Sequence, residues 1–199
     1  MSSLKDRIEH IELILQKNPR DINVYNDLPC AIFRYDPNEE WALRHEVTNL
    51  KTRLENNGKD IRILSLEAVF WEILESLAEK MPGEGYPAIV EKENEDGFLD
   101  AQELVFEYLS DEEFAPFEKM IAQKVSEYEN PKSIIFIVHA AVLAPNMYQI
   151  SALLDRLYDP GTIENPTILF YPGSEEGVEL RYMDLAGREP RGNYRVKIY

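Results

Sequence analysis

Apolar positions along the chain fall into helical stripes and short uniform runs. Leu4, Ile8, Ile11 and Leu15 recur on one helical face, with Ser3 and Asp6 placed to cap its start. Tyr35-Asp36-Pro37-Asn38-Glu39 predicts a second helix start, with Asp36 as N-cap, Pro37 in the first turn and Glu39 closing a capping box. Leu43, Val47, Leu50 and Leu54 then form its apolar stripe, and Asn57-Gly58 ends it. Leu66, Phe70, Ile73 and Leu77 mark a third helix, broken at Met81-Pro82-Gly83, and residues 98–109 read as a further one. Ser110-Asp111-Glu112-Glu113 predicts another capping box, opening a helix that turns Phe114, Phe117, Ile121, Val125 and Tyr128 inward. Ile150, Leu153, Leu154 and Leu157 predict a last helix between Pro145-Asn146 and Asp159-Pro160-Gly161.

The short runs predict strands. Cys30-Ala-Ile-Phe33, Ile61-Arg-Ile-Leu64, Ile134-Ile-Phe-Ile-Val138 and Thr167-Ile-Leu-Phe-Tyr171 lack alternation, as strands of a parallel sheet covered on both faces do. The third run is the most uniformly apolar. It is expected at the centre of the sheet, flanked by the first strand and by residues 168–171. Pro172-Gly173 predicts a turn out of the sheet, while residues 178–183 and 194–198 alternate as strands near a solvated edge do. The order of elements implies one α/β domain over residues 1–199, a three-layer open sheet, mostly parallel, with antiparallel strands near the C-terminus. It is Rossmann-like or P-loop-like without a Walker A motif, and carries a helical acidic insertion at about 84–128.

Charge narrows the functions open to such a fold. The net charge is −16, and residues 84–118 hold twelve carboxylates against the single Lys92. That balance opposes direct nucleic-acid binding and suits a soluble protein or one with a basic partner. Cys30 is the only cysteine, so no internal disulfide forms. No apolar signal segment or membrane-length run is present, and the chain is expected in the cytoplasm.

Candidate chemistry is sparse. Gly58-Lys59-Asp60 lacks the rest of a phosphate loop, no Gly-x-Gly-x-x-Gly follows a strand, and no Gly-x-Ser-x-Gly elbow exists. His10, His45 and His139 are far apart, and none has another metal ligand at i+4 that would form a His-Glu-x-x-His type site. Residues 92–103 approach a calcium loop, but Lys92 occupies its first ligand position and prolines and glycines precede it, so a turn with a helix cap is expected. No catalytic residue, metal or cofactor is assigned. The ends of the strands leave Tyr35, Asp36, His139, Pro172 and Gly173 as residues that could face a ligand. Trp41 is expected to pack in the core or at its rim. On the acidic segment, Glu107, Asp111 and Glu112 are the candidate partner-binding residues.

Leu169-Phe-Tyr-Pro-Gly173, Gly177 with residues 178–183, and Gly192-Asn-Tyr-Arg195 carry a family likeness. Together with Met1-Ser-Ser-Leu-Lys-Asp-Arg7, Tyr35-Asp36-Pro37 and residues 61–66, the sequence resembles the BrxB family of BREX phage-defence systems from end to end. The resemblance implies a component encoded in a defence cluster beside a methyltransferase, a large ATPase, a Lon-like protease and a PglZ protein. It implies a non-enzymatic role alongside PglZ and transfers no catalytic residues. Three function classes follow: an assembly or adaptor subunit docking onto a PglZ-like partner, a degenerate nucleotide-binding domain, and an acidic DNA mimic. The second would need a phosphate cradle after the first or third strand.

Overall fold

The computed structural model describes residues 3–23, 29–111, 114, 117–128, 130–144, 148, 150, 153, 164–176, 179–184 and 196–199. Leu4–Lys17 forms α1, whose capping box closes when the Ser3 side chain accepts from the Asp6 amide and Asp6 accepts from the Ser3 amide. Cys30–Tyr35 (β1) leads through a 3₁₀ turn capped by Asp36 into Glu40–Asn56 (α2). Ile61–Ser65 (β2) runs without a loop into Leu66–Lys80 (α3), because Ser65 both ends the strand and caps the helix by accepting from the Ala68 amide. Tyr86–Glu95 (α4), Phe98–Ser110 (α5) and Phe117–Ser126 (α6) follow. Ile134–Val138 (β3), Thr167–Glu176 (β4), Glu179–Tyr182 (β5) and Lys197–Ile198 (β6) complete the elements.

The strands form one mostly parallel sheet in the order β2-β3-β4-β1-β6, with β5 paired to β4. The side chains of α1 and α2 cover one face, packing Ile8, Ile11, Leu50 and Leu54 on Phe33, Phe136 and Phe170. Those of α3, α5 and α6 cover the other, where Ile73, Tyr108, Phe117 and Ile121 meet Ile135, Ile137 and Tyr171. This is the three-layer α/β architecture expected from the pattern.

Four expectations are corrected. The middle strand is β4, not β3; β3 is interior, but its neighbours are β2 and β4, and β1 lies beyond β4. Any strand with neighbours on both sides reads as equally apolar, so apolarity did not rank them. Pro172-Gly173 is not a turn: β4 continues through it, leaving β1 at Pro172 and taking up β5 antiparallel from Gly173. Ser110 is the last residue of α5 rather than the cap of α6, which starts at Phe117. Trp41 is 81% exposed, because it lies off the Leu43–Val47 stripe.

The region 92–103 has a different reason for being a turn than the one expected. A helix does enter it, since Pro87 sits in the first turn of α4. Lys92 to Glu95 are helical and α5 begins at Phe98, so Asp96-Gly97 alone joins the pair, too short for a twelve-residue calcium loop. Ile150 and Leu153 are helical and buried as predicted. Leu154 and Leu157, expected on the same helix, and the Gly192-Arg195 stretch lie outside the described residues.

Candidate functional site

The carboxyl ends of β1, β2 and β3 bring Tyr35, Ser65 and His139 to one end of the sheet. Tyr35, last in β1, is fully buried and donates its hydroxyl to Glu40 at the start of α2. Burial and that carboxylate push the phenol well above its usual range. Glu40 also holds Arg44 one turn on, Nε to Oε1 at 2.8 Å, and the Arg44 guanidinium lies 5.3 Å from the centre of the exposed Trp41 ring. His139, just past β3, adopts a left-handed backbone with φ 62° and puts Nδ1 2.9 Å from Ser65 Oγ. The same oxygen also accepts from the Ala68 amide at 3.2 Å. Burial, aided by Arg44, lowers the imidazole pKa against the pull of Glu67 and Glu40.

A cleft of about 150 Å³ opens here, walled by Leu43, Val47, Ile63 and Val138, with Glu40, Arg44, Thr48 and His139 at its polar side. Its size is below the roughly 300–1,000 Å³ of pockets that enclose drug-sized ligands. The turns beside it are not glycine loops. After β1 the chain enters α2 through Asp36, Glu39 and Glu40, which place carboxylates where a phosphate would sit. After β3 it makes a 3₁₀ turn over Ala140–Leu143.

The residues expected to face a ligand therefore separate. Tyr35 and His139 converge on the cleft region, Tyr35 through its bond to Glu40. Asp36 caps the 3₁₀ turn, accepting from the Asn38 amide at 2.8 Å. Pro172 and Gly173 are buried inside β4, and a Cβ on Gly173 would lie 2.0 Å from the Arg181 carbonyl oxygen. Sequence reasoning passed over Tyr182, whose hydroxyl donates to the Ala140 carbonyl at 2.6 Å and ties β5 to the turn after β3. It passed over Arg7 as well, which donates to the Arg34 and Tyr199 carbonyls and lies over Phe33. Cys30 is buried, and desolvation pushes its thiol up to about 12. Among the described residues no cluster of His, Cys, Asp and Glu is arranged to hold a metal ion, and no helix is long and apolar enough to cross a membrane.

The acidic segment forms a helical hairpin of α4 and α5. Glu107 and Asp111 are exposed on and just after α5, while Glu112 lies outside the described residues. Between the carboxylates stand exposed apolar side chains: Tyr86 and Val90 on α4, and Phe98, Leu99 and Phe106 on α5, Leu99 being 72% exposed. Tyr86 packs edge-on against Trp71 of α3 at 5.8 Å. The sequence did hold this signal. The buried stripe of α5 is Ala101, Val105, Tyr108 and Leu109, and Phe98, Leu99 and Phe106 are surplus to it.

These features define an acidic three-layer α/β protein with a small, mostly apolar cleft at the carboxyl end of its sheet. The sequence model of the family described as "BREX protein BrxB" matches residues 63–198, from within β2 to the last strand. The BREX protein BrxB of Bacillus cereus (strain H3081.97) is 26% identical over 157 residues, which cover 78% of this chain and 76% of that protein. No solved structure matches the chain. The chain belongs to the BrxB family and is thus a component of a BREX system.

Proposed function

We propose that this chain is a non-catalytic assembly subunit that works in the cytoplasm by docking onto another BREX protein, a PglZ-like one being the first to test. The observation that carries the reading is the α4–α5 hairpin, where five exposed apolar side chains stand among carboxylates. Interfaces pair a desolvated aromatic and aliphatic centre with a charged rim, and this surface has both parts. The acidic rim selects a basic partner and steers its approach. A net charge of −16 turns the same surface away from nucleic acid.

Co-purification of the chain with the other proteins of its gene cluster is the direct experiment. Reversing the charge at Glu107, Asp111 and Glu112 together should slow association at low salt and leave the melting temperature nearly unchanged. The difference from the unmodified chain should shrink as salt rises, because exposed charges are screened over ~8 Å at physiological ionic strength. Partner capture that the triple reversal leaves untouched at low salt would rule out this surface. A chain that purifies alone from its own cluster would rule out the adaptor role.

A further inference from the structure

The geometry points to a second docking site, at the free edge of β2, which takes up an extended segment of another protein carrying an apolar residue flanked by Lys or Arg. Among the described residues, strand β2 pairs only with β3, in the parallel register Ile61↔Ile134 to Ser65↔Val138. The Ile134 amide donates to the Asp60 carbonyl at 2.8 Å, so Asp60, Arg62 and Leu64 turn their peptide groups toward β3. Ile61 and Ile63 then turn theirs outward, and among the described residues nothing hydrogen-bonds to them there. Such a row of unpaired amides and carbonyls is satisfied by one further strand.

The cleft lies at the same residue. The side chain of Ile63 is half-exposed and forms one wall of it, facing Leu43, Val47 and Val138. A strand added along β2 would bring alternate side chains over this opening, which has room for one aliphatic or aromatic group. Charge identifies the flanking residues. Glu67, in the first turn of α3, lies 3.7 Å from His139 Nδ1 and has no Lys or Arg within ion-pair distance among the described residues. A Lys or Arg beside the anchor meets that carboxylate. Charge also disfavours a second copy as occupant, since each copy brings −16 and its own Glu67.

The test uses the full chain and a phage-displayed library of random short peptides. Enriched sequences should carry an apolar residue next to Lys or Arg, and a synthetic peptide of that sequence should slow hydrogen exchange at the Ile61 and Ile63 amides. Ile63→Pro removes an outward amide that β3 does not use, and Thr48→Trp fills the cleft from the exposed face of α2. Each should weaken the peptide roughly tenfold or more, the worth of one buried apolar side chain or of the edge pairing. If Ile63→Pro fails to fold, Thr48→Trp decides. The triple reversal on the acidic hairpin should leave this affinity unchanged, so the failure of one site is told apart from the failure of the other. No enrichment, or binding that survives Thr48→Trp, overturns the proposal. So does self-association of the chain that Ile63→Pro abolishes, which would give the edge to a second copy.

Discussion

Gly173 stands where β4 exchanges one partner for another, with φ 149° and the Arg181 carbonyl oxygen where its Cβ would be. At 2.0 Å that contact is well over an ångström closer than ordinary packing, and the obstacle is backbone, which cannot swing aside. In Gly173→Ala, β5 must move off β4. The Gly173↔Tyr182 and Ser174↔Arg181 pairings are lost or stretched, at about 1 kcal/mol per hydrogen bond, and the backbone strain at such a φ adds about 1–3 kcal/mol. The expected loss is about 3 kcal/mol, or ~6–12 °C of melting temperature for a chain of this size. Gly58→Ala is the control, because Gly58 also has positive φ, 78°, but meets nothing within 4 Å. It should cost only about 1 kcal/mol. Urea unfolding of the three proteins, followed by circular dichroism, gives both differences. A Gly173→Ala loss no larger than that of Gly58→Ala would refute the claim that the approach of β5 fixes this residue.

Two further outcomes follow from the core and from His139. Ile135→Asp places a carboxylate where exposure is zero, which costs several kcal/mol, on the order of the whole stability; cooperative melting near the original temperature would contradict it. The lowered pKa of His139 means that the unfolded chain takes up the proton first, its ordinary value being 6.5. Stability from this group is complete above about pH 6.5 and is lost as pH falls toward the folded value. His139→Asn should flatten melting temperature against pH below about 6.5, and an unchanged profile would show that the ring is not held neutral.

How much of this could be read from the chain depends on the range over which each residue acts. The caps at Ser3, Asp36 and Gly58, and the stripes of α1, α2 and α3, are local in sequence and were legible in it. Strand order was not, because Ile135 and Leu169 are equally buried whichever strand is central. One marker of order was available: Arg62 interrupts its apolar run, and β2 is an edge strand. Pro172-Gly173 misled because a proline and glycine that end most strands here serve an exchange of partners, from β1, which runs parallel to β4, to β5, which runs antiparallel to it. The pairing of Tyr35 with Glu40 is short-range, but its depth depends on β4 and α2 closing over it. The contact of His139 with Ser65 joins residues far apart and left no trace in either neighbourhood.

The place of β1 in the sheet has a consequence for how the protein is made. Its two neighbours, β4 and β6, are the partners of residues 30–35 but come from residues 167–172 and 197–198. At roughly 5–20 residues per second, translation leaves both edges of this apolar strand open for on the order of ten seconds before β4 emerges. During that interval α1 and α2 can cover one face of β1 but cannot pair its backbone. The nascent chain is thus exposed to misassociation through most of its synthesis, and a ribosome stalled before residue 167 would hold a strand with no partner on either side.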